Sequence, residues 1–292
     1  MRILLTGREG QVARSLLEKA PGFPGLELIP AGRPEADLAE PGSIARVIRT
    51  VAPDLVINAA AYTAVDLAED EPDVAFRINA EAAGEAAAAA RELGSGIIQI
   101  STDYVFDGQA AEPYDEGAPT NPVSIYGRSK LAGEEAVRAA NPEHLILRTA
   151  WVYSPFGRNF VKTMVAAARD RDELKVVADQ QGSPTSAPDL AGAILAIAAG
   201  WPAAGGRTYH LAGTGSASWF DLAEEAMNHC RRLGLPAAEV RAIRTADWPT
   251  KAVRPPFAVL DSSAIHRGLG IHLPDWRLSV AATVECLAAG QC

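Results

Sequence analysis

The sequence predicts an α/β fold: a doubly wound parallel sheet over residues 1–150, followed by a smaller lobe that fills most of 151–292. Short, almost wholly apolar runs alternate with longer runs rich in Ala, Glu and Arg, the pattern of parallel strands covered on both faces by helices. A glycine-bearing turn joins the first apolar run to the first helical one. After Thr149 the alternation loosens and Pro-rich stretches such as Trp248–Pro256 enter.

In chain order, Arg2–Thr6 reads as a strand, Gln11–Lys19 as a helix, Leu26–Ile29 as a strand, Ser43–Val51 as a helix and Leu55–Asn58 as a strand. Val74–Leu93, a run of Ala with Glu and Arg, predicts one long helix, followed by the strand Gly96–Ser101. Ser124–Ala140 is helical and Leu145–Thr149 is a strand. Right-handed crossovers among such strands give a Rossmann-type sheet. Helices are expected at Asn159–Asp170, Asp189–Ala199, Trp219–Leu233 and Ser279–Ala289, with a strand or two returning to the main sheet.

Composition narrows the function. With 292 residues, 48% of them hydrophobic, the chain can bury a large core, which argues against disorder. A net charge of −9 without a Lys/Arg cluster disfavours nucleic acid as a partner. No apolar run approaches the roughly 20 residues of a membrane span. The start, MRILLTGREG, enters a strand at once rather than a signal peptide, so the cytoplasm is the expected compartment. Cys230, Cys286 and Cys292 are odd in number and scattered, and the five histidines lack ligand spacing. Neither a disulfide framework nor a metal site is expected.

The turn after the first strand reads Thr6-Gly7-Arg8-Glu9-Gly10-Gln11-Val12-Ala13. Gly7 permits a tight turn, Gly10 lets a pyrophosphate reach the backbone, and Ala13 lets the helix pack close to the sheet. The helix start then offers unpaired N–H groups and partial positive charge to phosphates. A plain strand–helix turn is the competing reading. The second strand ends without the acidic residue that would bond a ribose 2′-hydroxyl, and Arg33 follows it. An arginine there can pair with a 2′-phosphate, which favours NADPH, unless Arg33 is merely a solvated loop charge.

Tyr126 and Lys130 are one helical turn apart and share a face. A neighbouring ammonium favours phenolate, so the pair suits a general acid for carbonyl reduction, with Lys130 expected to bring the tyrosine pKa down. Thr102 and Asp103 follow a strand, at the end where ligands bind in such sheets, so Thr102 could hold a substrate oxygen; a capping hydroxyl is the alternative. The small residues Ala59, Ala60 and Ala61 after Asn58 leave room for a flat cofactor.

With these residues the chain resembles the extended short-chain dehydrogenase/reductase family, and within it the dTDP-4-dehydrorhamnose reductases. The matching stretches are GREGQVA, Asp37-Leu38, NAAAYTAVDLAE, STDYVFDG, YGRSKLAGE, RTAWVYSPFGRNFVKTM, DQQGSPT and LPDW, which span nearly the whole chain. The resemblance implies that Gly10, Gln11 and Val12 hold the pyrophosphate, that Asp37 and Leu38 sit at the adenine, and that Ala59, Ala60 and Ala61 border the cofactor. It implies Tyr126 as proton donor, Lys130 on the nicotinamide ribose, Thr102 and Asp103 on the sugar, and Trp151 packed against the sugar ring, where core packing is the alternative role. NADPH is the expected cofactor, with NADH left open, and the expected partner is a dTDP-sugar, with a homodimer left open. Where some members place magnesium carboxylates at a dimer contact, this chain has Ser15 and Pro188, with Asp189 adjacent and Glu285 retained, so no metal is expected. Ala258 replaces a serine of the family's late stretch.

The implied reaction is reduction of the C4 keto group of a nucleotide-linked 4-keto-6-deoxysugar. Two other readings remain at this level: an epimerase or dehydratase on the same fold, and a regulatory subunit without catalysis. Against the dehydratase, Asp103 is not followed by Glu; against the regulatory subunit, Thr102, Tyr126 and Lys130 are all present.

Overall fold

A computed structural model describes residues 1–201 and 205–290. The strands β1 (Arg2–Thr6), β2 (Glu27–Ala31), β3 (Leu55–Asn58), β4 (Gly96–Thr102) and β5 (His144–Thr149) lie in one sheet, and Arg207–His210 returns from the second half to pair with β5. Every pairing in this six-stranded sheet is parallel. The order is β2-β1-β3-β4-β5 and then Arg207–His210. The chain therefore reverses direction across the sheet at β1, and such a switch point opens a crevice beyond the carboxyl ends of the strands.

Alternation along the strands fills two cores. Ile3, Leu5, Leu55, Ile57, Ile98 and Leu145 face α1 (Gln11–Lys19). Leu4, Val56 and Ile97 face the opposite layer, which includes α2 (Ser43–Val51). The chain then forms the short helices α3 (Val65–Ala68) and α4 (Pro72–Phe76), then α5 (Ala82–Glu92) and α6 (Ile125–Ala140). The second half adds α7 (Phe160–Ala167), α8 (Ala187–Ala199), α9 (Trp219–Arg232), α10 (Ser263–Leu269) and α11 (Trp276–Ala289). Of these, α8 packs beside α1 on the main sheet. The remaining lobe has its own core around Tyr153, Leu174, Val176, Leu222, Met227 and Trp276. Its small sheets pair Glu173–Val177 with Glu239–Ile243, and Gln181–Gly182 with both Ala217–Ser218 and Phe257–Ala258.

The long helix expected over Val74–Leu93 is broken. A π-helical turn at Arg77–Glu81 separates α4 from α5. The cause is tertiary: Asn79 bonds the backbone of Tyr62 in both directions and donates to Ser129 on α6 at 2.9 Å. Gly133 of α6 lies so close that a Cβ there would stand 2.0 Å from the Asn79 carbonyl oxygen. The last helix starts at Trp276 rather than Ser279 because the Asp275 carboxylate caps it.

Cys230 is a buried free thiol, whereas Cys286 is disulfide-bonded. Cys292 lies outside the described residues. Among the described residues no helix is long and apolar enough to cross a membrane, and no three His, Cys, Asp or Glu side chains group as metal ligands.

Candidate active site

The phosphate loop is built as a cradle. Gly7 turns the chain at φ +91° and its N–H donates to Ala31 O at 2.7 Å. Gly10, in extended conformation, precedes α1, which has no side-chain cap and no acid in its first turn. A Cβ at Gly10 would meet no heavy atom within 4 Å, so the helix start faces open space with its first N–H groups available to an anion. This donor set fits a dinucleotide pyrophosphate. The Gln11 side chain has another task. It donates to Val152 O at 3.2 Å and accepts from Ser154 at 2.8 Å and Asn159 at 3.0 Å, tying the loop to the second half of the chain. Only the backbone of Gln11 is left for phosphate; Val12 and Ala13 pack into the core.

Beyond β2, Arg33 is exposed, and across from it Arg8 pairs with Glu35 at 3.2 Å, both groups solvated. Sequence reasoning passed over Arg8. The signal was its place in the glycine turn, which faces Gly32 and so the end of β2. The Asp37 carboxylate accepts the Ala39 N–H, and Leu38 is buried. Ala60 N–H donates to the Thr6 hydroxyl, which donates in turn to Asn58 at 2.6 Å; Asn58 donates to Gln99 at 2.7 Å. This buried polar line runs beneath the crevice, with Ala59, Ala60 and Ala61 at its rim. Sequence reading had not singled out Thr6 or Gln99.

On the other side of the crevice the structure brings Thr102, Asp103, Tyr126 and Lys130 together, all buried. Thr102 ends β4 and caps a short 3₁₀ turn, accepting from the Tyr104 N–H at 3.2 Å and donating to Asp103 Oδ1 at 2.9 Å. The other Asp103 oxygen, Oδ2, is buried without a partner. Burial pushes this carboxyl up to about 7 against the opposing hydrogen bond from Thr102. Ser124 caps α6 by accepting the Gly127 N–H, which sets Tyr126 in the first turn facing Thr102. Gly127 is required by contact: a Cβ there would lie 2.2 Å from the Tyr104 carbonyl oxygen.

The protonation pattern differs from the expected one. Burial pushes the Tyr126 phenol above its ordinary value; the Thr102 hydroxyl opposes this, while Asp103 and Tyr104 add to it. Lys130 does not bring it down, because its ammonium is turned to the Ile100 carbonyl at 2.7 Å. Burial lowers Lys130 itself to about 8, with the charge of Glu134 opposing. Glu134 is in turn held between Ser101 and a bidentate Arg148.

Trp151 stands at φ +45°, a left-handed conformation that is costly for a bulky residue. Its ring stacks on Trp219 with centroids 3.6 Å apart and lies over Gly182, where no Cβ would fit. Trp219, also passed over in the sequence, is fixed by donating to Gln180 at 3.1 Å.

Comparison with known proteins gives this geometry a family. A family model described as the RmlD substrate binding domain matches residues 1–289. The chain belongs to the dTDP-4-dehydrorhamnose reductase family. It is 45% identical to the dTDP-4-dehydrorhamnose reductase of Sinorhizobium fredii over 98% of each chain. It is 39% identical to that of Escherichia coli K12 over 96% of each. A Clostridium acetobutylicum dTDP-4-dehydrorhamnose reductase superposes with a TM-score of 0.91 at 39% identity, covering 99% of this chain and 100% of that one. A Bacillus anthracis reductase crystallised with NADP gives 0.90 at 34% identity, covering 97% and 98%.

Ser15 is buried and donates to Gln11 O at 2.8 Å. Asp189 accepts from Ser279 at 2.6 Å, and Glu285 is exposed on α11. Ala258 is buried in the short strand beside Gly182.

Proposed function

We propose that the chain is a cytoplasmic enzyme that reduces the C4 keto group of dTDP-4-dehydro-L-rhamnose to give dTDP-L-rhamnose, with residues 1–150 holding the cofactor and most of 151–292 closing over the sugar nucleotide. The observation that carries the reading is the buried Thr102–Tyr126 pair beside an open helix start, in a chain that matches the reductase family end to end. Bound NADPH supplies the hydride to C4. The carbonyl electron pair moves onto O4, and Tyr126 donates its phenolic proton there as the C–H bond forms. Thr102 holds that oxygen by turning its hydroxyl proton to it from Asp103 Oδ1. Asp103, with one oxygen unpaired, takes a neighbouring sugar hydroxyl. The Lys130 ammonium, resting on the Ile100 carbonyl, keeps further protons to donate to the cofactor ribose. Gly10, Gln11 and Val12 give backbone N–H groups to the pyrophosphate, Asp37 and Leu38 border the adenine, and Trp151 offers an apolar face to the sugar ring. The test is turnover of purified protein with dTDP-4-dehydro-L-rhamnose. One NADPH oxidised for each dTDP-L-rhamnose formed supports the reading. Sugar conversion without net NADPH oxidation would mean an epimerase, and binding without turnover a regulatory chain.

A further inference from the structure

One guanidinium outside the groups assigned so far bridges the two halves of the chain next to the proton donor. We propose that Arg254 is a positioning residue for Tyr126, acting through Tyr104. This rests on the reading of Tyr126 as proton donor. Arg254 donates through Nη1 to the Tyr104 hydroxyl at 2.9 Å and through Nη2 to Asp66 Oδ2 at 2.7 Å. Tyr104 touches both reacting groups. Its ring meets that of Tyr126 edge-on, with centroids 5.4 Å apart at 75°. Its N–H donates to Thr102 at 3.2 Å, and its carbonyl oxygen is the atom that Gly127 packs against.

The segment that carries Arg254 is a strap laid across the first half. Lys251 pairs with Asp70, and Ala252 N–H donates to Asp66 Oδ1 at 3.1 Å. Pro255 and Pro256 press on Gly108, and Pro256 O accepts the Gln181 N–H at 2.8 Å. The strap is thus fixed to α3, to the loop after the catalytic turn and to the small sheet of the lobe. Arg254 is its one side chain that reaches Tyr104 while holding α3. A planar fork can serve two acceptors in fixed directions, which an ammonium cannot do with the same geometry. Fixing the Tyr104 hydroxyl fixes the ring against which the Tyr126 phenol rests.

The experiment measures kcat, KM for the sugar nucleotide, NADPH affinity and thermal midpoint for Arg254→Ala, Arg254→Lys, Tyr104→Phe and the Arg254→Ala/Tyr104→Phe double variant. Tyr126→Phe serves as reference. Arg254→Ala and Tyr104→Phe should each lower kcat about tenfold with NADPH affinity unchanged, since ångström displacements of reacting groups cost one to two powers of ten. The double variant should be no worse than the worse single, because both changes break one path. Arg254→Lys should recover only part of the loss. Tyr104→Phe removes a single oxygen and Asp66 is half exposed, so folding should survive in each variant. Wild-type kcat in either single variant, additive losses, or a rise in KM alone would overturn the proposal. Wild-type turnover by Tyr126→Phe would instead overturn the proton-donor reading on which it rests.

Discussion

Gly127→Ala tests how closely α6 must approach the catalytic turn. The added methyl would sit 2.2 Å from the Tyr104 carbonyl oxygen and 3.0 Å from Pro122 Cβ. A carbon and a carbonyl oxygen tolerate about 3.3 Å, so one partner must retreat by about 1 Å. Neither is free to do so. The Tyr104 carbonyl belongs to the 3₁₀ turn tied to Thr102, and the start of α6 is held by Ser124 and by Glu69, which accepts the Ile125 N–H at 2.8 Å. Overpacking of this kind costs ~1–3 kcal/mol, offset by the ~0.5–1 kcal/mol that alanine gains over glycine in a helix. The expected net loss is at most ~2.5 kcal/mol by urea melts. The larger effect is on rate: a 1 Å misplacement between Tyr126 and the oxygen held by Thr102 should lower kcat ~10²-fold with NADPH affinity unchanged. Gly84→Ala is the control, since its methyl would meet only Ala136 Cβ at 3.1 Å on the outer helices. It should keep wild-type kcat. Wild-type kcat and stability in Gly127→Ala would refute the claim that this contact sets the site.

Tyr126→Phe should fold, bind NADPH and lose at least ~10²-fold in kcat, as removal of a general acid does. With Lys130 lowered to about 8, its ammonium is present at neutral pH and lost above it; kcat/KM should therefore fall above about pH 8, and Lys130→Met should lack that limb. Asp103 has a folded value of about 7 against an ordinary 3.8, so the folded state binds the extra proton and stability drains away as pH rises from about 4 to 7. Asp103→Asn should therefore gain on wild type across that window in urea melts at successive pH values. If Arg33 or Arg8 reads the 2′-phosphate, its change to Ala should cut the NADPH/NADH ratio of kcat/KM by ~10–100-fold, the worth of a charged hydrogen bond; an unchanged ratio in both clears them.

The strands were legible because β1, β3 and β4 are buried on both faces and leave short runs dominated by Ile, Leu and Val, interrupted only by polar residues such as Gln99 and Asn58. The glycine turn was legible as a turn, because Gly7 stands at φ +91° and Gly10 directly precedes α1. What could not be read is what distant segments impose. The π turn at Arg77–Glu81 exists because Asn79 finds partners on α6, and nothing in an Ala-rich run announces that. Trp219 reaches Trp151 across 68 residues and Arg254 reaches Tyr104 across 150, through contacts that periodicity does not encode. For Lys130, spacing gave the shared helix face, but the Ile100 carbonyl that claims its ammonium belongs to β4, outside that helix.

That last contact bears on the direction of the chemistry. A tyrosine held as phenolate would serve oxidation, by taking a proton from an alcohol. Here burial keeps the Tyr126 phenol protonated, and Lys130 points its charge at a carbonyl rather than at the ring. The free enzyme is thus set with a proton to give, which is the state that reduction of a ketone requires. A sugar oxygen arriving at Thr102 and gaining negative charge becomes the better base, and the proton moves toward it as the charge builds. Removing the ammonium takes away the donor offered to the cofactor ribose and should misplace the hydride donor against C4, lowering kcat rather than substrate affinity. Lys130→Met with an unchanged kcat and a raised KM would contradict that account.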